Sequence, residues 1–164
     1  MVVIVMGVSG SGKSTIGNAL ARSLGWEFHD GDDLHTEDSK RKMHRGEPLT
    51  DLDRAPWLLA VRTLIASMLS SGQNGVVACS ALKQSYRDEI IVDPASVKIV
   101  YLKGSEQLIA ARLAHRSGHF MNPSLLQSQF DALEEPADAI VADISTAPKA
   151  IVDAIKAQLG LQAG

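Results

Sequence analysis

The chain has 164 residues, 45% of them hydrophobic and 21% charged, with a formal net charge of −3. That length and balance predict one soluble globular domain, residues 1–164, with a sizeable core. They exclude a nucleic-acid binder built on a basic stripe, no apolar run reaches membrane-spanning length, and a lone cysteine, Cys79, excludes an internal disulfide.

Met1 leads straight into an apolar run, Val2–Met6, leaving no room for a signal peptide, so the expected location is cytoplasmic. The run is uninterrupted, as a buried central parallel strand requires. Gly7-Val8-Ser9-Gly10-Ser11-Gly12-Lys13-Ser14 follows at once, the full G-x-x-x-x-G-K-[ST] spacing, and Thr15 continues into a helical pattern to Leu24. In a strand–loop–helix context this spacing predicts a nucleoside triphosphate site. The glycines let several N–H groups point at one anion, and the helix start adds its positive dipole end. Lys13 reaches the β- and γ-phosphates, and the Ser14 hydroxyl is a Mg²⁺ ligand.

A short second strand, Trp26–His29, ends in the acidic turn Asp30-Gly31-Asp32-Asp33-Leu34-His35. Such a turn at a strand's carboxyl end is where a kinase places its acceptor base. Asp32 is expected to hold the acceptor hydroxyl and take its proton, and Asp30 to face the Mg²⁺ shell, through water. His35 is either a helix-start residue or a substrate donor. The basic cluster Lys40–Arg45 is expected to be a solvated helix face. Arg54 is read as standing in a turn before a helix that Pro56 opens, where its guanidinium can grip a carboxylate or phosphate. Trp57, Val61, Leu64, Ile65 and Met68 share one face of that helix.

The third strand, Val76–Ser80, follows a Gly-Gln-Asn-Gly turn and leads to Ala81-Leu82-Lys83. Small residues at 78–81 let a ligand approach the backbone, and Cys79 packs as a small apolar residue. Lys83 and Arg87 fall four apart, on one helix face, and two cations there suit an anionic acceptor. Beyond the fourth strand, Val97–Leu102, a helix from about Ser105 puts Arg112 and Arg116 on one face and is expected to end at Gly118. With His119-Phe120-Met121 at a mobile tip, residues 112–124 read as a small lid supplying cations to developing charge. A fifth strand, Ala139–Asp143, precedes Ser145-Thr146-Ala147-Pro148, which is either an adenine lining or a plain helix cap. Alternating strands and helices predict an α/β fold, a parallel sheet with helices on both faces and ligands beyond the strands' carboxyl ends.

With these segments in view, the chain resembles a gluconokinase of the shikimate-kinase-like P-loop group. Asp-Gly-Asp-Asp-Leu-His at 30–35, Cys-Ser-Ala-Leu-Lys at 79–83 and Gly-His-Phe-Met at 118–121 carry the likeness, with Lys42-Met43, Gly46–Leu58, Tyr86-Arg87-Asp88 and Ser128–Glu134. It covers nearly the whole chain. The resemblance implies a P-loop kinase fold with a five-stranded parallel sheet in the order 2-3-1-4-5, and a homodimer. It implies ATP-dependent phosphorylation of D-gluconate on its 6-hydroxyl, with Mg²⁺. It places Arg112 on the adenine and Arg116 on the phosphates, and adds Gln129 to the substrate-binding residues. Arg54, Lys83 and Arg87 suit the acceptor's carboxylate; Asp30, Asp32 and His35 suit its hydroxyls. A shikimate kinase is the nearest alternative, but it carries three glycines where this chain has Cys79-Ser80-Ala81. A nucleoside monophosphate kinase lacks support because its Asp-Gly-aromatic-Pro-Arg run is missing after the third strand. A nucleotide-binding regulator has no need of the Asp32 base or an arginine lid.

Overall fold

Among the described residues, five strands and seven α-helices follow one another: β1 (Val2–Met6), α1 (Lys13–Leu24), β2 (Glu27–Asp30), α2 (Glu37–His44), α3 (Asp51–Ser70), β3 (Gly75–Ala78), α4 (Gln84–Ile90), β4 (Val97–Lys103), α5 (Glu106–Ala114), α6 (Pro123–Ala132), β5 (Ile140–Asp143) and α7 (Pro148–Leu159). The computed structural model describes residues 1–115 and 123–162. All strand pairings are parallel, in the order β2-β3-β1-β4-β5, as the resemblance implied.

β1 owes its central place to its composition. Five consecutive apolar side chains suit only a strand covered on both faces, and all five are 0% exposed. Val3 and Val5 join a core with Ile16 and Leu20 of α1, Leu126 of α6 and Ile151 and Ile155 of α7. Val2, Ile4 and Met6 join the opposite core with Trp57, Val61, Ile65 and Met68 of α3 and Ile90 of α4. The alternation of side chains along the strand thus fixes which helices cover which face. Each such side chain withdrawn from water contributes about 1.5–3 kcal/mol.

Several boundaries differ from the sequence reading. α3 begins at Asp51, not at Pro56, because Thr50 and Asp53 form a reciprocal capping box: Asp53 N–H donates to Thr50 Oγ1 at 3.1 Å and Thr50 N–H to Asp53 Oδ2 at 2.9 Å. Pro56 sits inside the helix, and Arg54 lies in its first turn rather than in a preceding loop. β3 ends at Ala78; Cys79 N–H still bonds the Val5 carbonyl of β1 at 3.0 Å, and Ser80 starts the loop toward α4. α5 ends at Ala114, with His115 as its C-cap, short of the expected end at Gly118. The basic cluster lies on α2 and its C-cap, where Lys40, Arg41 and Arg45 pair locally with Glu37, Asp38 and Glu47, while Lys42 reaches Asp53 at 2.8 Å. Among the described residues no helix is long and apolar enough to cross a membrane.

Candidate active site

Every strand delivers its carboxyl end to the same edge of the sheet, and the predicted site residues follow those ends. The loop after β1 runs from Gly7 to Gly12 and turns into α1 at Lys13. Gly10 (φ 81°) and Gly12 (φ 99°) take left-handed conformations that L side chains rarely adopt. A Cβ on Gly10 would also meet Leu113 of α5 at 2.7 Å, so α5 lies directly over the loop. Lys13 Nζ bonds the Val8 carbonyl at 3.1 Å, folding back across the loop. Ser11 Oγ is buried within the loop and has no partner among the described residues. Thr15 stands exposed in the first turn of α1.

Ser14 Oγ donates to Asp30 Oδ2 at 2.7 Å, joining the phosphate loop to the acidic turn. The other Asp30 oxygen accepts from Asp32 N–H at 3.0 Å and caps a single 3₁₀ turn, Gly31–Leu34. This turn is wedged in place. A Cβ on Gly31 would strike the Ala78 carbonyl at 2.5 Å, and Trp57 Nε1 donates to the Gly31 carbonyl at 2.8 Å. Both Asp30 oxygens are therefore engaged, whereas Asp32 is exposed. Withdrawal of water by the surrounding protein raises the Asp32 pKa above the ordinary carboxylate value. Lys13 opposes that rise, and Asp30 and Asp33 add to it.

A hydroxyl beside a carboxylate at the start of the phosphate loop's helix fits Mg²⁺, which binds through one or two oxygen side chains, phosphate oxygens and its own waters. Among the described residues no group of three or more His, Cys, Asp or Glu forms a fuller metal cage.

The acceptor side is built by α3 and α4. Arg54 Nη1 donates to the Leu49 carbonyl at 2.6 Å and to Tyr86 Oη at 3.4 Å, and its guanidinium lies 5.6 Å from the Tyr86 ring centre. Lys83 sits 5.5 Å from the same ring and pairs with Asp51 at 3.2 Å; Tyr86 Oη also donates to Asp51. Two cations thus flank one phenol ring. Hydrogen bonds from Tyr86 and Lys83 hold the Asp51 pKa below the usual carboxylate value. His35 is buried, stacked on Trp57 with ring centres 4.3 Å apart. Burial, then the charges of Arg54 and Lys40, push its pKa down to about 4, so it is a neutral imidazole.

Arg87 departs from the expectation of a substrate-reading cation. It is 2% exposed, and all five of its donors are used within the protein. Nη1 bonds the carbonyls of Ala81 and Leu82 at 2.7 and 3.0 Å, Nη2 bonds Glu134 O at 2.7 Å and Gln84 Oε1 at 3.0 Å, and Nε bonds Gln84 Oε1 at 3.3 Å. The fold spends this charge on the β3–α4 turn, where Ala81 has the left-handed φ of 45°. Gln129 also lies elsewhere than expected: its amide grips Ser9 of the phosphate loop. Arg112 donates to the Ile144 carbonyl beyond β5, beside the Ser145–Pro148 segment. Arg116 and the tip at Gly118–Met121 lie outside the described residues. Cys79 is buried, and burial pushes its thiol up to about 12, as an inert packing residue requires.

Asp51, Tyr86 and Glu134 were not singled out as site residues from sequence. Glu134 accepts from Gln84 N–H at 2.8 Å and so caps α4 from 50 residues away. No local spacing announces a partner at that distance, nor the Asp51–Tyr86 contact across 35 residues.

Comparison with known proteins places this arrangement. The shikimate kinase family model matches residues 9–159. The probable gluconokinase of Rattus norvegicus is 48% identical over 154 residues, covering 83% of each chain. The gluconokinase of Gluconobacter oxydans (strain 621H) is 46% identical over 136 residues, covering 83% of this chain and 76% of that one. The crystal structure of a gluconokinase from Sinorhizobium meliloti 1021 superposes with a TM-score of 0.87 at 45% identity, covering 96% of this chain and 90% of that one.

Proposed function

This chain belongs to the gluconokinase branch of the shikimate kinase family, and from that premise we propose that it transfers the γ-phosphoryl group of ATP to the 6-hydroxyl of D-gluconate. The observation that carries the reading is the division of labour in the acidic turn. Asp30 has both oxygens committed, one to Ser14 and one to the turn itself, while Asp32 is exposed beside them. An uncommitted carboxylate with a raised pKa beside the phosphate loop is suited to accept a proton from an attacking hydroxyl.

In this reading the loop N–H groups and Lys13 hold the phosphates and neutralise charge that grows as the phosphoryl group moves. Ser14, with Asp30 acting through water, would hold Mg²⁺, which would supply charge to screen the phosphate oxygens. Asp32 orients the acceptor hydroxyl in line and takes its proton, while neutral His35 lies within the same turn. Arg54 and Lys83 receive the acceptor carboxylate over the Tyr86 ring, which fits an anionic polyol better than a neutral sugar. The family resemblance assigns Arg112 to the adenine and Arg116 to the phosphates. Arg87 serves the loop rather than the substrate. The same family reading carries a homodimer, checked by light scattering on a sizing column, and a cytoplasmic location.

Incubation with ATP, Mg²⁺ and D-gluconate, followed by proton-coupled phosphorus NMR, tests the proposal. A phosphate monoester split as a triplet by two methylene protons is expected. A doublet would place the phosphate on a secondary hydroxyl, and no ester at all would remove gluconate as the acceptor.

A further inference from the structure

α6 and the two residues that follow it touch both substrate loops. At one point Gln129 Oε1 accepts from Ser9 N–H at 2.7 Å, and Gln129 Nε2 donates to Ser9 Oγ at 3.1 Å. Ser9 is the third residue of the phosphate loop, so a single amide holds both the backbone and the side chain of that position. At the other point Glu134 is tied three times to the acceptor loop. Its N–H donates to the Leu82 carbonyl at 2.8 Å, its side chain accepts from Gln84 N–H at 2.8 Å, and its carbonyl accepts from Arg87 Nη2 at 2.7 Å. The same guanidinium clamps the carbonyls of Ala81 and Leu82, and so holds the strained turn that precedes Lys83.

The stretch between the two grips is stiff. Leu133 N–H bonds the carbonyls of Gln129 and Phe130 at 3.0 and 3.3 Å, extending the helical bonding past Ala132. Leu126 is buried, and Phe130, Ala132 and Leu133 pack against the core. Both grips are polar. Each spends polar groups on a substrate loop far away in sequence, by 120 residues for Gln129 and by 50 for Glu134.

We propose that Gln129 and Glu134 are positioning residues that hold the phosphate loop and the acceptor loop in one register, so that a nucleotide ordering the first also orders the second. The inference rests on the reading of residues 7–14 as the nucleotide loop, and it does not depend on which acceptor is used. A rigid element gripping two loops transmits order between them without a large movement, because the entropy of ordering is met once for both sites.

Hydrogen–deuterium exchange of the folded chain, with and without Mg²⁺ and a non-hydrolysable ATP analogue, reads this directly. In the wild type the analogue is expected to slow exchange in peptides spanning 7–16 and also in those spanning 82–90, by about fivefold or more in the second group. Gln129→Met keeps the side-chain length and removes both bonds to Ser9. It is expected to retain protection at 7–16 and lose it at 82–90. Glu134→Ala should do the same from the other end, and Glu134→Gln, which still offers an oxygen to Gln84 N–H, should restore the wild-type response. In turnover, Gln129→Met should lower kcat by about tenfold while the KM for ATP moves less than about threefold. The proposal is overturned if nucleotide leaves 82–90 unprotected in the wild type, or if Gln129→Met responds as the wild type does. It is equally overturned if Gln129→Met raises only the KM for the acceptor, which would make Gln129 a substrate contact. Failure of gluconate as acceptor would leave the exchange result standing, and loss of nucleotide protection at 7–16 in the wild type would instead remove the nucleotide-loop reading.

Discussion

Replacement of His35 by Phe should flatten part of the pH dependence of stability. His35 is 7% exposed, stacked on Trp57, with a buried Nδ1 that has no partner among the described residues. Its pKa is lowered to about 4 by burial first, then by Arg54 and Lys40, from 6.5 in the unfolded chain. The sign follows from proton counting. Between these values the unfolded chain binds a proton that the fold refuses, so stability is full above pH 6.5 and falls as pH drops toward 4. With those two values, lowering the pH from 7.5 to 5 costs about 1–2 kcal/mol from this one group. At a urea slope of about 2 kcal/mol per molar, the midpoint should drop by about 0.5–1 M from this source. Phe keeps a ring against Trp57 and cannot titrate. Urea melts of wild type and His35→Phe at the two pH values isolate the term, since the carboxylates that also titrate are common to both. Equal losses in the two proteins would refute the reasoning.

Lys13→Ala should lower kcat by more than about tenfold, because loop N–H groups cannot replace the fixed charge on the transferring phosphate; a folded variant retaining more would contradict the phosphate-loop mechanism. Asp32→Asn should cost about a hundredfold or more in turnover with nucleotide affinity nearly unchanged, measured by calorimetry and ADP release on one preparation; equal loss of both would shift the base to Asp30. Arg87→Met should leave three backbone carbonyls without their buried donor and destabilise the fold by about 3–5 kcal/mol. That corresponds to a melting temperature lower by about 10 °C, and a change under about 2 °C would make the clamp unimportant. Gluconate should be preferred to glucose by at least about tenfold in kcat/KM, since glucose leaves Arg54 and Lys83 without a carboxylate, and the preference should shrink in Arg54→Met or Lys83→Met.

What the sequence disclosed, and what it hid, follows the range of the interactions. The phosphate loop is legible because its chemistry is contiguous: strand, glycines, Lys13 and Ser14 lie within one short stretch. All five strands are legible from apolar runs bounded by turns, and their order came with the family resemblance. Pro56 suggests a later start for α3 than the Thr50–Asp53 box sets, although that box is itself a local signal. Arg87 differs from its sequence pattern for a deeper reason. Its spacing from Lys83 suggests a shared charged face, yet Tyr86 and Ile90 mark the buried side of α4, and Arg87 turns inward with them. The carbonyls it satisfies come from Ala81, Leu82 and Glu134, which only the tertiary fold brings together. The same holds for Gln129, whose partner Ser9 is 120 residues away.

The central claim is that Asp32, Arg54 and Lys83 make this phosphate-loop protein a kinase for D-gluconate. Release of ADP from ATP and Mg²⁺, followed in parallel with D-gluconate, shikimate, AMP or no acceptor, tests it most directly. The account predicts fast release with gluconate and only background in the other three. Release with shikimate or AMP at a rate matching or exceeding that with gluconate, or release indifferent to any acceptor, would contradict it.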